Sequence, residues 1–161
     1  VLAGWVGVLP RFIFEQNIKT EAVRSFDVDE SVRPAAEILN QDEVQNDWIF
    51  KASTLDICHI KYPTEFTVYR KDGTSCALTE MPDVVINTSC EHLPNFTSWW
   101  SQIPNGSRVI LQTNDGFHID GHVSCFKNLN DFKTSVQLTT LQYAGEKALP
   151  EFNRFMLIGI K

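Results

Sequence analysis

Two glycines, a few carboxylates and one imidazole carry most of the chemistry available to this sequence. Gly4 and Gly7 flank Trp5 and Val6 where the apolar run Val1-Leu2-Ala3 enters a turn, and about 20 residues on, a second apolar run ends on acid at Phe26-Asp27-Val28-Asp29. Glycine lets main chain lie close to a ligand, and the N–H groups at the start of a following helix favour an anion. A carboxylate at the tip of the neighbouring strand can accept hydrogen bonds from both hydroxyls of a ribose. The spacing predicts a nucleoside-bearing ligand with Asp27 on the ribose. Asp29 competes for that role, and it also suits the cap of the helix that follows.

A second constellation follows the apolar run Val84-Val85-Ile86 in Asn87-Thr88-Ser89-Cys90-Glu91-His92. The carboxyl end of a central strand is where open α/β sheets bind ligands, and histidine titrates near neutrality, so His92 is the candidate base. Glu91 is placed to orient it or to hold an acceptor amine; the same pair also suits bracing the next helix. Cys90 reads as a buried thiol. His118 and His122 with Asp115 and Asp120 form a polar cluster in a segment broken by Gly116 and Gly121. Helical i, i+4 presentation of both imidazoles is not expected there, so this segment reads as the rim of a site and no metal is expected.

The elements that must position these groups alternate strand-like and amphipathic stretches, the pattern of an α/β domain. A helix is expected over 8–18, with Pro10 in its first turn, and a strand over 22–26. Asp29-Glu30-Ser31 opens a helix through Leu39. A third strand is expected from Asp47 to Ala52. Residues 62–80 form an inserted β-hairpin turning at Lys71-Asp72-Gly73-Thr74. Strands over 83–87 and 108–112 flank a helix from Phe96 to Ile103, whose Trp99 and Trp100 should cover the sheet. Val136 to Tyr143 and Phe155 to Ile160 lack room for a crossover between them, so they pair antiparallel and the last strand is reversed.

The chain's 161 residues, 43% of them hydrophobic, supply one domain with an ordinary core. A net charge of -6 gives no basis for a general nucleic-acid surface. Cys58, Cys76, Cys90 and Cys125 are widely spaced with no CxxC, which favours neither a disulfide scaffold nor a structural zinc site, and they read as reduced, mostly buried thiols in a cytoplasmic protein. No apolar run approaches the roughly 20 residues that span a bilayer, so no membrane partner is expected. Val1 lies inside a strand-like run, which implies residues upstream of it.

In motif order the chain resembles the class I S-adenosyl-L-methionine-dependent methyltransferases over nearly its whole length. Ala3-Gly4-Trp5-Val6-Gly7 looks like that family's glycine loop, Phe26-Asp27-Val28-Asp29 like the acidic end of its second strand, and Leu55-Asp56-Ile57 like the pair that meets the adenine. Ile86-Asn87-Thr88-Ser89-Cys90-Glu91-His92-Leu93 looks like the segment beside the methyl donor. The resemblance implies a Rossmann-like, mostly parallel seven-stranded sheet with an antiparallel last strand and helices on both faces. It implies S-adenosyl-L-methionine as cofactor, held by Gly4, Trp5, Val6, Gly7, Asp27, Val28, Asp56, Ile57, Asn87 and Thr88. Asp56 would take the exocyclic amine while Ile57 packs on the ring; a solvated loop acid is the other reading of Asp56.

Departures concern the substrate side. The glycine loop holds a bulky Trp5, and the family's N-terminal substrate helices are absent from these residues. A small-molecule methyl acceptor is expected. Two rivals stay open: a nicotinamide-dinucleotide oxidoreductase, which normally shows a fuller glycine loop and no reversed last strand, and a non-catalytic methyltransferase-like subunit.

Overall fold

Val23, Ser25 and Phe26 are buried in Val23–Asp27 (β1), and Phe50–Thr54 (β2) runs parallel to it, with Val23 beside Phe50 and Asp27 beside Thr54. Parallel neighbours need a crossover. After Val8–Glu15 (α1), the helices Val32–Leu39 (α2) and Gln41–Gln45 (α3) provide it. The computed structural model describes residues 1–46, 48–70 and 72–161, and the chain divides into two compact units. One comprises Val1–Ile57 with Pro63–Glu80, the other Cys58–Tyr62 with Met81–Lys161.

In the first unit, Val23, Ala36, Phe50 and Ala52 form a buried cluster on which Val1, Phe14 and Val44 pack. The hairpin of Thr64–Tyr69 (β3) and Ser75–Glu80 (β4) covers β1 and β2 with its alternately buried residues Thr64, Phe66 and Val68. Phe66 meets Phe26 edge-on at 5.3 Å, and Arg24 grips both carboxylate oxygens of Glu80 at 2.8 and 2.9 Å. Ser53 and Lys51 donate to the carbonyls of Thr67 and Tyr69. The expected hairpin is therefore present and serves as a cover.

In the second unit, Val84–Asn87 (β5) and Arg108–Asn114 (β6) are parallel, with Phe96–Gln102 (α4) crossing between them. Thr140–Ala148 (β7) and Asn153–Ile160 (β8) complete a sheet of order β5-β6-β8-β7, in which β8 runs antiparallel to both neighbours. The reversed ending matches the expectation from the short connection. Trp99 and Trp100 are buried, as expected.

Several expectations are corrected. Among the described residues the ladders form sheets of two, two and four strands, so a continuous, mostly parallel seven-stranded sheet is not what the hydrogen bonds draw. The expected first strand is reduced to a single parallel bridge from Leu2 to Phe26. Val136 ends a helix, Leu129–Val136 (α5), instead of opening a strand. The Asn128 side chain caps α5 by accepting from the Asp131 N–H at 2.8 Å, and Phe132 and Val136, four residues apart, are both buried. The third strand begins at Phe50; Asp47 and Lys71 lie outside the described residues. Of the cysteines, Cys90 is buried and the other three are half-buried. No helix among the described residues is long and apolar enough to cross a membrane.

Candidate functional site

The first unit brings the glycine turn to the tip of β1. Gly4 donates to the Phe26 carbonyl at 3.0 Å, so close that a Cβ on Gly4 would run into the Ser25 hydroxyl. Ala3, Trp5 and Gly7 have φ of 49°, 44° and 76°, left-handed values that cost the two non-glycine residues strain. Gly7 opens α1, and its carbonyl accepts from the buried Asn40 side chain at 3.1 Å.

Asp27 closes this turn. Its Oδ2 accepts from the Trp5 N–H at 2.9 Å and its Oδ1 from the Asp29 N–H at 3.1 Å. Each oxygen keeps a second lone pair for a hydroxyl. Asp29 instead accepts from Ser31 at the start of α2, and hydrogen bonds from Ser31 hold its carboxyl below the usual range. Asp29 thus braces the turn before α2, which has no side-chain cap, and Asp27 stands at the tip of β1.

Between Trp5, Asp27, Arg33 and Ser53 lies a recess of only about 10 Å³, room for one water. A larger one of about 340 Å³ opens beside it, lined by Glu30, Arg33, Thr54, Leu55 and the hairpin residues Glu65 to Thr67 and Tyr69. That volume lies at the low end of small-ligand pockets. Leu55, whose N–H donates to the Asp27 carbonyl, lines this recess together with Phe66, whereas Ile57 is buried and Asp56 exposed. Val28 and Trp5 are exposed and Val6 is half-buried. Sequence reading missed Arg33, Thr54 and the hairpin strand as lining. The polar residues alternating with Phe66 in Thr64–Tyr69 were the available signal.

The second unit holds Asn87, Thr88, Glu91 and His92. Asn87 is fully buried; its Oδ1 accepts from the Ser89 N–H at 2.9 Å, and its Nδ2 has no partner. The Thr88 carbonyl accepts from Arg154 at 3.2 Å. Cys90 is the inert thiol expected, its pKa pushed well up by burial. A 3₁₀ turn, Cys90–His92, then aims Glu91 inward and His92 outward. Glu91 is 2% exposed, its Oε1 is 3.5 Å from Arg154 Nη2, and its Oε2 has no partner.

His92 and His122 meet edge to face, with ring centroids 4.8 Å apart and planes at 84°. The expected cluster of His118, His122, Asp115 and Asp120 does not form as a unit. Asp115 holds Asn153 through the backbone N–H and the side-chain amide at 2.6 and 2.8 Å, and His118 is exposed. His122 joins Glu91 and His92, and one ligand atom from each of the three lies within 4.8 Å of the others. No sequence signal connects His92 to a histidine on a distant loop.

No protein-family model and no curated protein matches the sequence. Solved structures do. The chain overlays magnesium protoporphyrin IX methyltransferase (ChlM) from Synechocystis PCC 6803 with bound SAH at a TM-score of 0.63 and 14% identity, over 99% of this chain and 72% of that one. This is the class I methyltransferase fold. CrArsM, an arsenic(III) S-adenosylmethionine methyltransferase from Chlamydomonas reinhardtii, shares the methyltransferase fold at a TM-score of 0.63 and 12% identity, over 99% and 62% of the two chains. So does a pericyclic reaction enzyme, at 0.59 and 10%, over 99% and 42%. The methyltransferase fold therefore hosts more than one reaction, and function must be argued from the site.

Proposed function

We propose that the chain binds S-adenosyl-L-methionine and transfers its methyl group to a small molecule. The observation that carries this reading is Asp27, fixed at the tip of β1 by the N–H groups of Trp5 and Asp29. A carboxylate oriented this way is pre-set to receive two ribose hydroxyls, and the turn beneath it is shaped by glycines that tolerate no Cβ. Gly4 to Gly7 would carry the amino-acid end of the cofactor, and the 340 Å³ recess by Leu55 offers room for the base. The solved ChlM structures with bound SAM and SAH support the cofactor class.

Methyl transfer is an in-line displacement at a sulfonium carbon, so positioning dominates and a base is needed only if the acceptor carries a proton. His92 fits that role: its Nδ1 is 3.1 Å from the Gly121 carbonyl, which fixes the N–H there and leaves Nε2 as a lone-pair acceptor. The small size of the recess beside Trp5, about 10 Å³, is the one observation that favours a non-catalytic subunit instead.

Calorimetry with S-adenosylmethionine, S-adenosylhomocysteine and NAD separates the readings. Heat with the first two and none with NAD is expected; NAD binding, or silence with all three, would overturn the proposal. Asp27→Ala should weaken cofactor binding by about 1.5–3 kcal/mol, the scale of a hydrogen bond to a charged group.

A further inference from the structure

We infer that Glu91, His92 and His122 form a binding site for a divalent transition-metal ion, independently of whether the first unit holds a nucleoside. One carboxylate oxygen and two imidazole nitrogens suit zinc or iron(II) far better than the hard cations magnesium and calcium, which seek all-oxygen shells. Three protein ligands leave a coordination position for water or for an oxygen-bearing substrate, the arrangement of reactive metal centres as opposed to structural ones.

Three observations converge on the site. First, Glu91 Oε2 is buried without a partner, while Arg154 contacts the other oxygen at 3.5 Å and orients the group. A buried carboxylate oxygen lacking any donor is costly, and a cation supplies what is missing. Second, both imidazoles are already set as metal ligands. His92 Nδ1 faces the Gly121 carbonyl at 3.1 Å, and His122 Nδ1 faces Asn114 Oδ1 at 3.1 Å. That Asn114 atom also accepts from the Gly116 N–H at 2.9 Å, so it is the oxygen, and both Nδ1 atoms must carry hydrogen. Each Nε2 is left with its lone pair, the outer-shell pattern by which ligating histidines are oriented.

Third, one possible ligand atom from each of the three residues lies within 4.8 Å of the others. Tetrahedral ligands at bond lengths of about 2.0–2.2 Å stand about 3.3–3.6 Å apart, so the widest pair closes by somewhat more than an ångström on binding. The exposed His92 side chain can make that adjustment by rotation. An ion there would occupy the Nε2 lone pair of His92, so His92 would serve as the base only in the metal-free chain.

The test is calorimetric titration of the chelator-treated full chain with zinc chloride and cobalt chloride. One ion per chain is expected, with His92→Ala and His122→Ala each weakening binding by at least about tenfold, as loss of even an outer-shell partner does. His118→Ala, on the same loop as His122, should bind as the parent does. No binding by the parent chain, or binding unchanged in both His92→Ala and His122→Ala, would overturn the site. Because His92 is exposed, its substitution leaves the core intact.

Discussion

Asp27 ends a strand of the first unit and Glu91 follows a strand of the second, and they are held in opposite ways. Asp27 is half-exposed, with both oxygens taken by backbone N–H groups two positions and 22 positions away in sequence. Glu91 is buried, with one oxygen near Arg154 and the other facing no donor. The first carboxylate is a finished element of a turn, and a ligand there would use spare lone pairs. The second is unfinished, and an ion would complete it. Preorganisation and unmet valence are distinct structural features, and this molecule shows one in each unit.

Perturbations that test this contrast can be ranked by size. The largest concerns the frame of the second unit. Phe132 is fully buried against Phe96 and Phe126, so Phe132→Ala should cost ~3–5 kcal/mol in denaturant unfolding. A loss below ~1 kcal/mol would mean α5 does not pack as described. Next is the frame of the turn. Gly7→Ala forces a Cβ to 2.8 Å from Asn40 Nδ2 at φ 76°, and should destabilise by ~1–3 kcal/mol. Wild-type stability for that variant would remove the argument that the turn is fixed.

Smaller still is Asn128→Ala, which removes the side-chain cap of α5 and should cost ~1 kcal/mol. The smallest structural disturbance is chemical. With its pKa raised well above the ordinary thiol value by burial, Cys90 stays protonated at neutral pH, where iodoacetamide should modify Cys76 and leave Cys90 intact. Rapid labelling of Cys90 in the folded chain would show that the 3₁₀ turn bearing Glu91 and His92 opens readily.

The parts of this fold legible in the sequence are those where one physical rule dominates. Val84-Val85-Ile86 and Val109-Ile110-Leu111 read as buried strands because they are short, apolar and mostly β-branched. The reversed last strand followed from a connection too short for a parallel crossover. The Asp27 position was legible because a strand tip with an acid is a local pattern. By contrast, β7 is exposed along nearly its whole length and carries no burial period, so its start was misplaced into α5. The short, polar α3, which packs only Val44 on the buried cluster, gave no signal either. The convergence of His122 on Glu91 and His92, and the reach of Arg154 to Glu91, are made by loops and by β8 and have no local signature.

The central claim, that the glycine turn and Asp27 form the cofactor cradle, is tested most directly by following backbone amide resonances during titration with S-adenosylhomocysteine. The amides of Trp5 and Asp29, which donate to Asp27, should shift saturably along with Gly7. Binding that leaves those amides unmoved while others shift would contradict the account.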